Sequence, residues 1–259
     1  MVTNWRYTYE KEASDMRIMK QAVPIVAVTL IVLMLIVAGC TSNQTASPQS
    51  TTGSAAASVK VNRTAKASVT SQSLHAHRIV CIGDSVTQGG YGNETDRWPY
   101  WLEARLGGDW EVINKGEGGY KTADILANIS SALALKPHFV IIMGGINDIV
   151  FGPVPLATTQ ANIKTMCKRV ESSGAVPVLC TITPVGFNST QRNTLNAWIT
   201  KYAQSEGYDL IDFNKVLETT SKPGYSNTAL MTADGIHPNT AGYIKMGEAI
   251  NLTIFTGGS

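Results

Sequence analysis

The sequence predicts a three-layer α/β domain, with a parallel sheet of about five strands and helices on both faces. Three observations predict it. From His77 onward, short apolar runs alternate with helical patterns. The runs are rich in branched residues and nearly continuous, as in strands buried on both faces. Each run is followed by a polar or glycine-containing stretch, beyond the strand end where open parallel sheets gather functional groups.

Taken in order, Arg78–Ile82 is the first strand, halted at Gly83. A helix comes next near Pro99–Leu106, where Pro99 suits the first turn and Gly107 the end. Trp110–Ile113 is the second strand and Thr122–Leu135 the next helix. Phe139–Met143 is the third strand, succeeded by a helix over Thr158–Ser172 that Gly174 closes. Val176–Ile182 is the fourth, with the helix Thr190–Glu206 running to Gly207. Tyr208–Ile211 is the fifth, and a long loop leads to a last helix over Ala241–Phe255. No internal repeat is visible.

The N-terminus reads differently. Residues 1–40 carry Arg17 and Lys20 ahead of the apolar segment Ala22–Gly39, which ends at Cys40. Positive charge, an apolar run and small residues describe an export signal. Val37-Ala38-Gly39-Cys40 resembles a lipobox with Cys40 as the lipidated residue, and a membrane-spanning anchor is the alternative. Both place the remainder outside the cytoplasm, on the extracellular face of the membrane. Residues 41–76 are mainly Ser, Thr, Ala, Gln and Pro and read as a flexible tether, leaving 77–259 as the globular domain. Net charge is only +2, with no basic run, which sets nucleic-acid binding aside. Beyond Cys40 there are three cysteines, an odd number, so at least one is unpaired within the chain. None of them has metal-ligand spacing. Six Asn-x-Ser/Thr sequons occur, at Asn43, Asn62, Asn93, Asn128, Asn188 and Asn251.

The chemistry lies just beyond the strands. The first strand leads into Gly83-Asp84-Ser85, the second into a glycine-rich stretch from Asn114 to Gly119, the third into Gly144-Gly145-Ile146-Asn147-Asp148. The final loop carries Asp234-Gly235-Ile236-His237. Acyl transfer by serine needs a base, a group that orients the base, and donors for the oxyanion. Ser85 sits at a strand end, where a plain helix N-cap is the simpler use of a serine. His237 is the one histidine of four in a polar loop before the last helix, and Asp234 is a short turn away. Asp234 could serve as a cap, but capping does not explain a residue that titrates near neutral pH at His237. Gly119 and Asn147 supply candidate oxyanion donors, though the glycines could serve turn geometry alone.

Together these blocks, in this order and covering nearly all of His77–Phe255, resemble the SGNH (GDSL-type) hydrolases. The resemblance implies a flavodoxin-like sheet, with Ser85 as nucleophile, His237 as base and Asp234 as its orienter. The oxyanion hole would be the Ser85 N–H, the Gly119 N–H and the Asn147 amide. Gly119 is favoured over Gly116 and Gly118 because it stands five residues after Asn114, as the family pattern expects. Val86 replaces the family's leucine after the serine. Asp84 then becomes a structural partner of the turn, and no metal or organic cofactor is implied. Tyr91, Trp98, Tyr120, Phe151, Phe187 and Tyr225 are aromatics expected near the mouth, and no apolar lid insertion is evident. The expected substrates are short-acyl esters, O-acetyl groups on carbohydrates first. A lysophospholipase or thioesterase activity is the second reading, and an inactive glycan-binding surface protein the third.

Overall fold

The computed structural model describes residues 76–90, 93–185 and 189–256. The apolar segment with Cys40 and the tether up to residue 75 lie outside the described residues. So do Asn43, Asn62, Asn188, Tyr91 and Phe187. Among the described residues no helix is long and apolar enough to cross a membrane.

Five parallel strands form one sheet. They are β1 (His77–Gly83), β2 (Trp110–Gly116), β3 (Phe139–Ile142), β4 (Val176–Cys180) and β5 (Asp209–Ile211), in spatial order β2-β1-β3-β4-β5. Alternate residues of each strand serve opposite faces. On one face Val80, Ile82, Val140, Ile142 and Leu179 pack beneath three helices: α3 (Thr122–Leu133), α5 (Leu156–Ser172) and α6 (Ser189–Glu206). On the other, Ile79, Cys81, Ile141, Val178 and Cys180 meet α2 (Trp98–Leu106), α7 (Phe213–Leu217), α8 (Thr240–Ala249) and α9 (Thr253–Thr256). Burying both faces is what makes the strand sequences uniformly apolar. The helices α2 and α8 cross closely at Gly247, where a Cβ would come within 2.3 Å of the Trp101 Cβ. Gly107, Gly174 and Gly207 all have positive φ at the helix ends the sequence assigns them.

Several boundaries differ from the sequence expectation, each for a local reason. The second strand continues to Gly116, because Asn114–Gly116 pair in register with Cys81–Gly83. The fourth stops at Cys180. Beyond it the Ile182 N–H donates to Asn196 Oδ1 (2.8 Å), and Asn196 Nδ2 donates to the Ile182 carbonyl (2.9 Å). A side chain of α6 thus replaces a neighbouring strand. The last helix is two helices, since Asn251 Oδ1 accepts from both the N–H (3.1 Å) and the hydroxyl (2.9 Å) of Thr253. Asparagine offers the backbone this alternative to continued helix. Short helices also appear at α1 (Ser85–Gln88) and α4 (Ile146–Val150), and a 3₁₀ turn at Thr228–Leu230.

Trp98, expected at the mouth, is instead a core residue packed on Phe213, with ring centroids 5.2 Å apart. Cys81, Cys167 and Cys180 are all free and buried. Burial pushes the Cys81 and Cys180 thiols well up and Cys167 to about 12, so all three behave as small apolar residues.

Candidate active site

The turn that carries Ser85 is held from all sides. Gly83 ends β1 where a Cβ would lie 2.2 Å from Thr87 Oγ1 and 2.6 Å from the Met143 carbonyl. Only glycine lets α1 fold back that tightly. Asp84, not Ser85, is the N-cap: its Oδ1 accepts the Val86 N–H (3.0 Å), and its carbonyl accepts from Thr87 and Gln88. The capping use of Ser85 that sequence alone allows is therefore filled by its neighbour. Asp84 is buried, and burial raises its carboxyl from 3.8 to about 6. The Asp148 charge pushes the same way, while the Val86 N–H and His237 moderate the rise. Val86 and Thr87 are sunk in the interior, leaving Ser85 slightly exposed at the strand end.

Ser85 Oγ lies 2.8 Å from His237 Nε2, and His237 Nδ1 lies 2.6 Å from Asp234 Oδ2. The loop achieves this through one carboxylate used twice. Asp234 Oδ1 accepts the backbone N–H groups of Ile236 (2.8 Å) and His237 (3.0 Å) and the Thr232 hydroxyl (2.7 Å). Oδ2 remains for the imidazole. Burial alone would raise the Asp234 pKa, but these hydrogen bonds, the ring's foremost, hold it well below the usual carboxylate range. The carboxylate thus occupies Nδ1 and leaves Nε2 facing the Ser85 hydroxyl. Gly235, with φ of 68°, makes the turn. Asn239 caps α8 through the Gly242 N–H (3.0 Å), and its Nδ2 reaches the Ala229 and Met231 carbonyls, anchoring the loop from the other side.

The glycine-rich stretch separates into two uses. A Cβ on Gly116 would come within 2.3 Å of the Gln88 N, and one on Gly118 within 2.9 Å of Gln88 Oε1, so these two are pressed against α1. Gly119 meets nothing, yet has φ of 77°. Among the described residues its N–H and that of Ser85 donate to no protein acceptor. Asn147 is buried on α4, and its Nδ2 donates one proton to the Tyr120 carbonyl (2.8 Å), leaving the second amide proton uncommitted.

Two supporting residues have partners that the sequence does not reveal, although Asp148 closes the third polar block. Asp148 is buried and accepts from the Thr122 N–H (2.9 Å), the Thr122 hydroxyl (2.5 Å) and the Thr159 hydroxyl (3.0 Å). Arg192 is fully buried and donates to Asn214 Oδ1 (2.6 Å), Asn193 Oδ1 (2.8 Å) and the Gly224 carbonyl. It ties α6 to the segment after β5. A helical threonine or arginine looks like a surface residue until its distant partners are known.

In a parallel sheet of this order, serine, histidine and aspartate stand hydrogen-bonded in a row beyond the strand ends, an arrangement of the kind that nucleophilic acyl chemistry uses. The GDSL-like Lipase/Acylhydrolase family matches residues 81–244, more than half of the chain. The chain belongs to that family, and it is a hydrolase of the GDSL/SGNH type. It is 26% identical over 173 residues to "Thioesterase 1/protease 1/lysophospholipase L1" of Escherichia coli K12, spanning 66% of this chain and 80% of the relative. The structure of a G-D-S-L family protein from Desulfitobacterium hafniense DCB-2 superposes with a TM-score of 0.61 at 31% identity, covering 66% of this chain and 96% of that one. The esterase EstA from Pseudoalteromonas sp. shares the fold at 21% identity and a TM-score of 0.56, covering 67% and 93%.

Proposed function

We propose that the protein is a serine esterase that hydrolyses carboxylic esters through Ser85, His237 and Asp234. The unbroken row from Ser85 Oγ through the imidazole to Asp234, at 2.8 and 2.6 Å, carries this reading. The Ser85 hydroxyl gives its proton to His237 Nε2 as Oγ bonds to the ester carbon, and the carbonyl electrons move onto oxygen. The Ser85 and Gly119 N–H groups and the Asn147 amide receive that oxyanion. Collapse breaks the bond to the alkoxy oxygen, and the imidazolium protonates the departing alcohol. Water, deprotonated by His237, then releases the acid from Ser85 by the same steps. Asp234 keeps the ring oriented and offsets its positive charge.

The preferred substrates are short-acyl esters such as O-acetyl groups on carbohydrates. Neither Ser85 nor His237 lines the cavities between β2 and α3, beside β5 and α7, or beside α4, and the Asp234 side chain is 40% exposed. An open site of this kind admits a small acyl group on a bulky alcohol. The second reading, a lysophospholipase or thioesterase, is favoured by a largely apolar cavity of about 250 Å³ beside α4. Ile149, Val154, Leu156 and Leu195 line it, and the E. coli relative's name agrees. Acetylated sugars, lysophospholipids and p-nitrophenyl esters from acetate to laurate separate the two. Activity that rises with acyl length and bypasses acetylated sugars would overturn the carbohydrate preference.

On the same proposal, an export signal and tether put this activity outside the cytoplasm, held at the membrane by lipid on Cys40 or by the apolar segment itself. Labelling with radioactive palmitate, lost in Cys40→Ala, distinguishes these anchors. An inactive glycan-binding role is tested by a fluorophosphonate probe. Wild type should label and Ser85→Ala should not; equal labelling, or none in either, would defeat the enzyme reading.

A further inference from the structure

Three consecutive residues just after Gly119 are fastened to one short helix and the turn at its end. The Tyr120 carbonyl accepts from Asn147 Nδ2 (2.8 Å). Lys121 Nζ donates to the Gly152 carbonyl (2.9 Å), beyond the end of α4. Both the N–H and the hydroxyl of Thr122 donate to Asp148 (2.9 and 2.5 Å). The Thr122 hydroxyl in turn accepts from Asn162 Nδ2 (3.0 Å), which fixes its rotamer from α5. Adjacent residues of α4, Asn147 and Asp148, therefore grip the same strip of chain at positions two residues apart.

The energetic weight of the grip falls on Asp148. Its carboxylate is 1% exposed and depends on the hydroxyl and N–H donors around it. The Tyr120 bond is neutral and single, whereas the Thr122 pair is charge-assisted and doubled. Oxyanion donors act only if they stand where charge develops, and a small displacement is costly.

We infer that Asp148 is a positioning residue for the oxyanion hole, holding the Gly119 N–H and the Asn147 amide in fixed relation by clamping Thr122. This inference rests on the serine-esterase reading above. Asp148 touches neither substrate nor Ser85; it acts through its neighbours.

The test is hydrolysis of p-nitrophenyl acetate by the full chain. Asp148→Asn should lower kcat about tenfold or more, with KM changed by less than roughly threefold. Thr122→Val should move kcat in the same direction by less. Thr159→Val also removes a bond to Asp148 but leaves the clamp on Thr122, so it should lower the melting temperature while kcat stays within about threefold. In an Asn147→Ala background, where one of the positioned donors is gone, Asp148→Asn should cost much less than in wild type. Full multiplication of the two losses, or a Thr159→Val loss in kcat equal to that of Asp148→Asn, would overturn the inference. If Asp148→Asn does not accumulate, Thr122→Val with Asn147→Ala decides by the same criterion. Ser85→Ala separates the two levels. Turnover that survives it defeats the esterase reading and the inference together, whereas an inert Ser85→Ala with multiplying Asp148 and Asn147 losses defeats the inference alone.

Discussion

Asp84→Asn probes the turn that carries Ser85 by removing a charge and little else. Burial raises the Asp84 carboxyl from 3.8 to about 6. Between those pH values the folded chain binds a proton that the unfolded chain has already released. Stability therefore falls as pH rises through that window and levels off above it. A gap from 3.8 to about 6 corresponds to about 3 kcal/mol at neutral pH. Asparagine keeps an oxygen for the Val86 N–H and has no charge to bury. Its amide protons need partners of their own, so about 3 kcal/mol is an upper bound on the gain. For a domain of this size that is at most roughly 6–12 °C in melting temperature. The assay is thermal unfolding of both proteins from pH 4 to 8.5. The variant's advantage over wild type should grow with pH up to about 6–7 and then stay constant, contributions common to both proteins cancelling in the difference. A difference that is flat with pH, or that grows in favour of wild type, would refute a buried, ionising Asp84.

Other substitutions probe the remaining parts of the site. Gly119→Ala meets no atom but must hold φ of 77°, so it should cost only about 1 kcal/mol of stability while lowering kcat about tenfold or more. Asp234→Asn should cut kcat by on the order of 10²–10⁴-fold, because the carboxylate no longer fixes the proton on Nδ1. Asp234 is itself held well below the usual carboxylate range, so its stabilising contribution stays intact above pH 4 and is lost only in stronger acid. Acidification from pH 7 to 5 should accordingly leave Asp234 ionised, and the acid limb of a pH–rate profile should be absent as an Asp234 titration. Arg192→Met should lower stability by about 3 kcal/mol, seen as a reduced melting temperature and earlier proteolysis between Glu218 and Tyr225, since Asn214 Oδ1 and the Gly224 carbonyl lose a charged donor.

The sheet was legible in the sequence because Ile79–Ile82 and Val140–Ile142 are apolar on both faces, a pattern few other environments demand. Ser85, Asn147, Asp234 and His237 stood out because each lies in a small polar cluster just beyond an apolar run or in the loop before the last helix. What escaped was either too short or too distant. Helices α1, α4 and α7 span four or five residues, less than the stretch over which a helical period can be read. Asp148 closes the third polar block without showing what it holds, and Arg192 looks like an ordinary solvated charge. Their partners Thr122, Thr159, Asn214 and Gly224 are far away along the chain, and no local rule links them. Trp98 misled for the converse reason: an aromatic next to a loop reads as a mouth residue until its ring is seen against Phe213.

The outer strand of the sheet has its own bearing on how the molecule behaves in a crowd. Along β2 the Val112 N–H is taken by Glu103 Oε1 (3.0 Å), and the Gly116 N–H by Asn114 Oδ1 (2.9 Å). A foreign strand arriving at that margin finds these two donors already engaged. Glu103→Leu would free the Val112 donor, and light scattering that rises steeply with protein concentration would mark the margin as reopened.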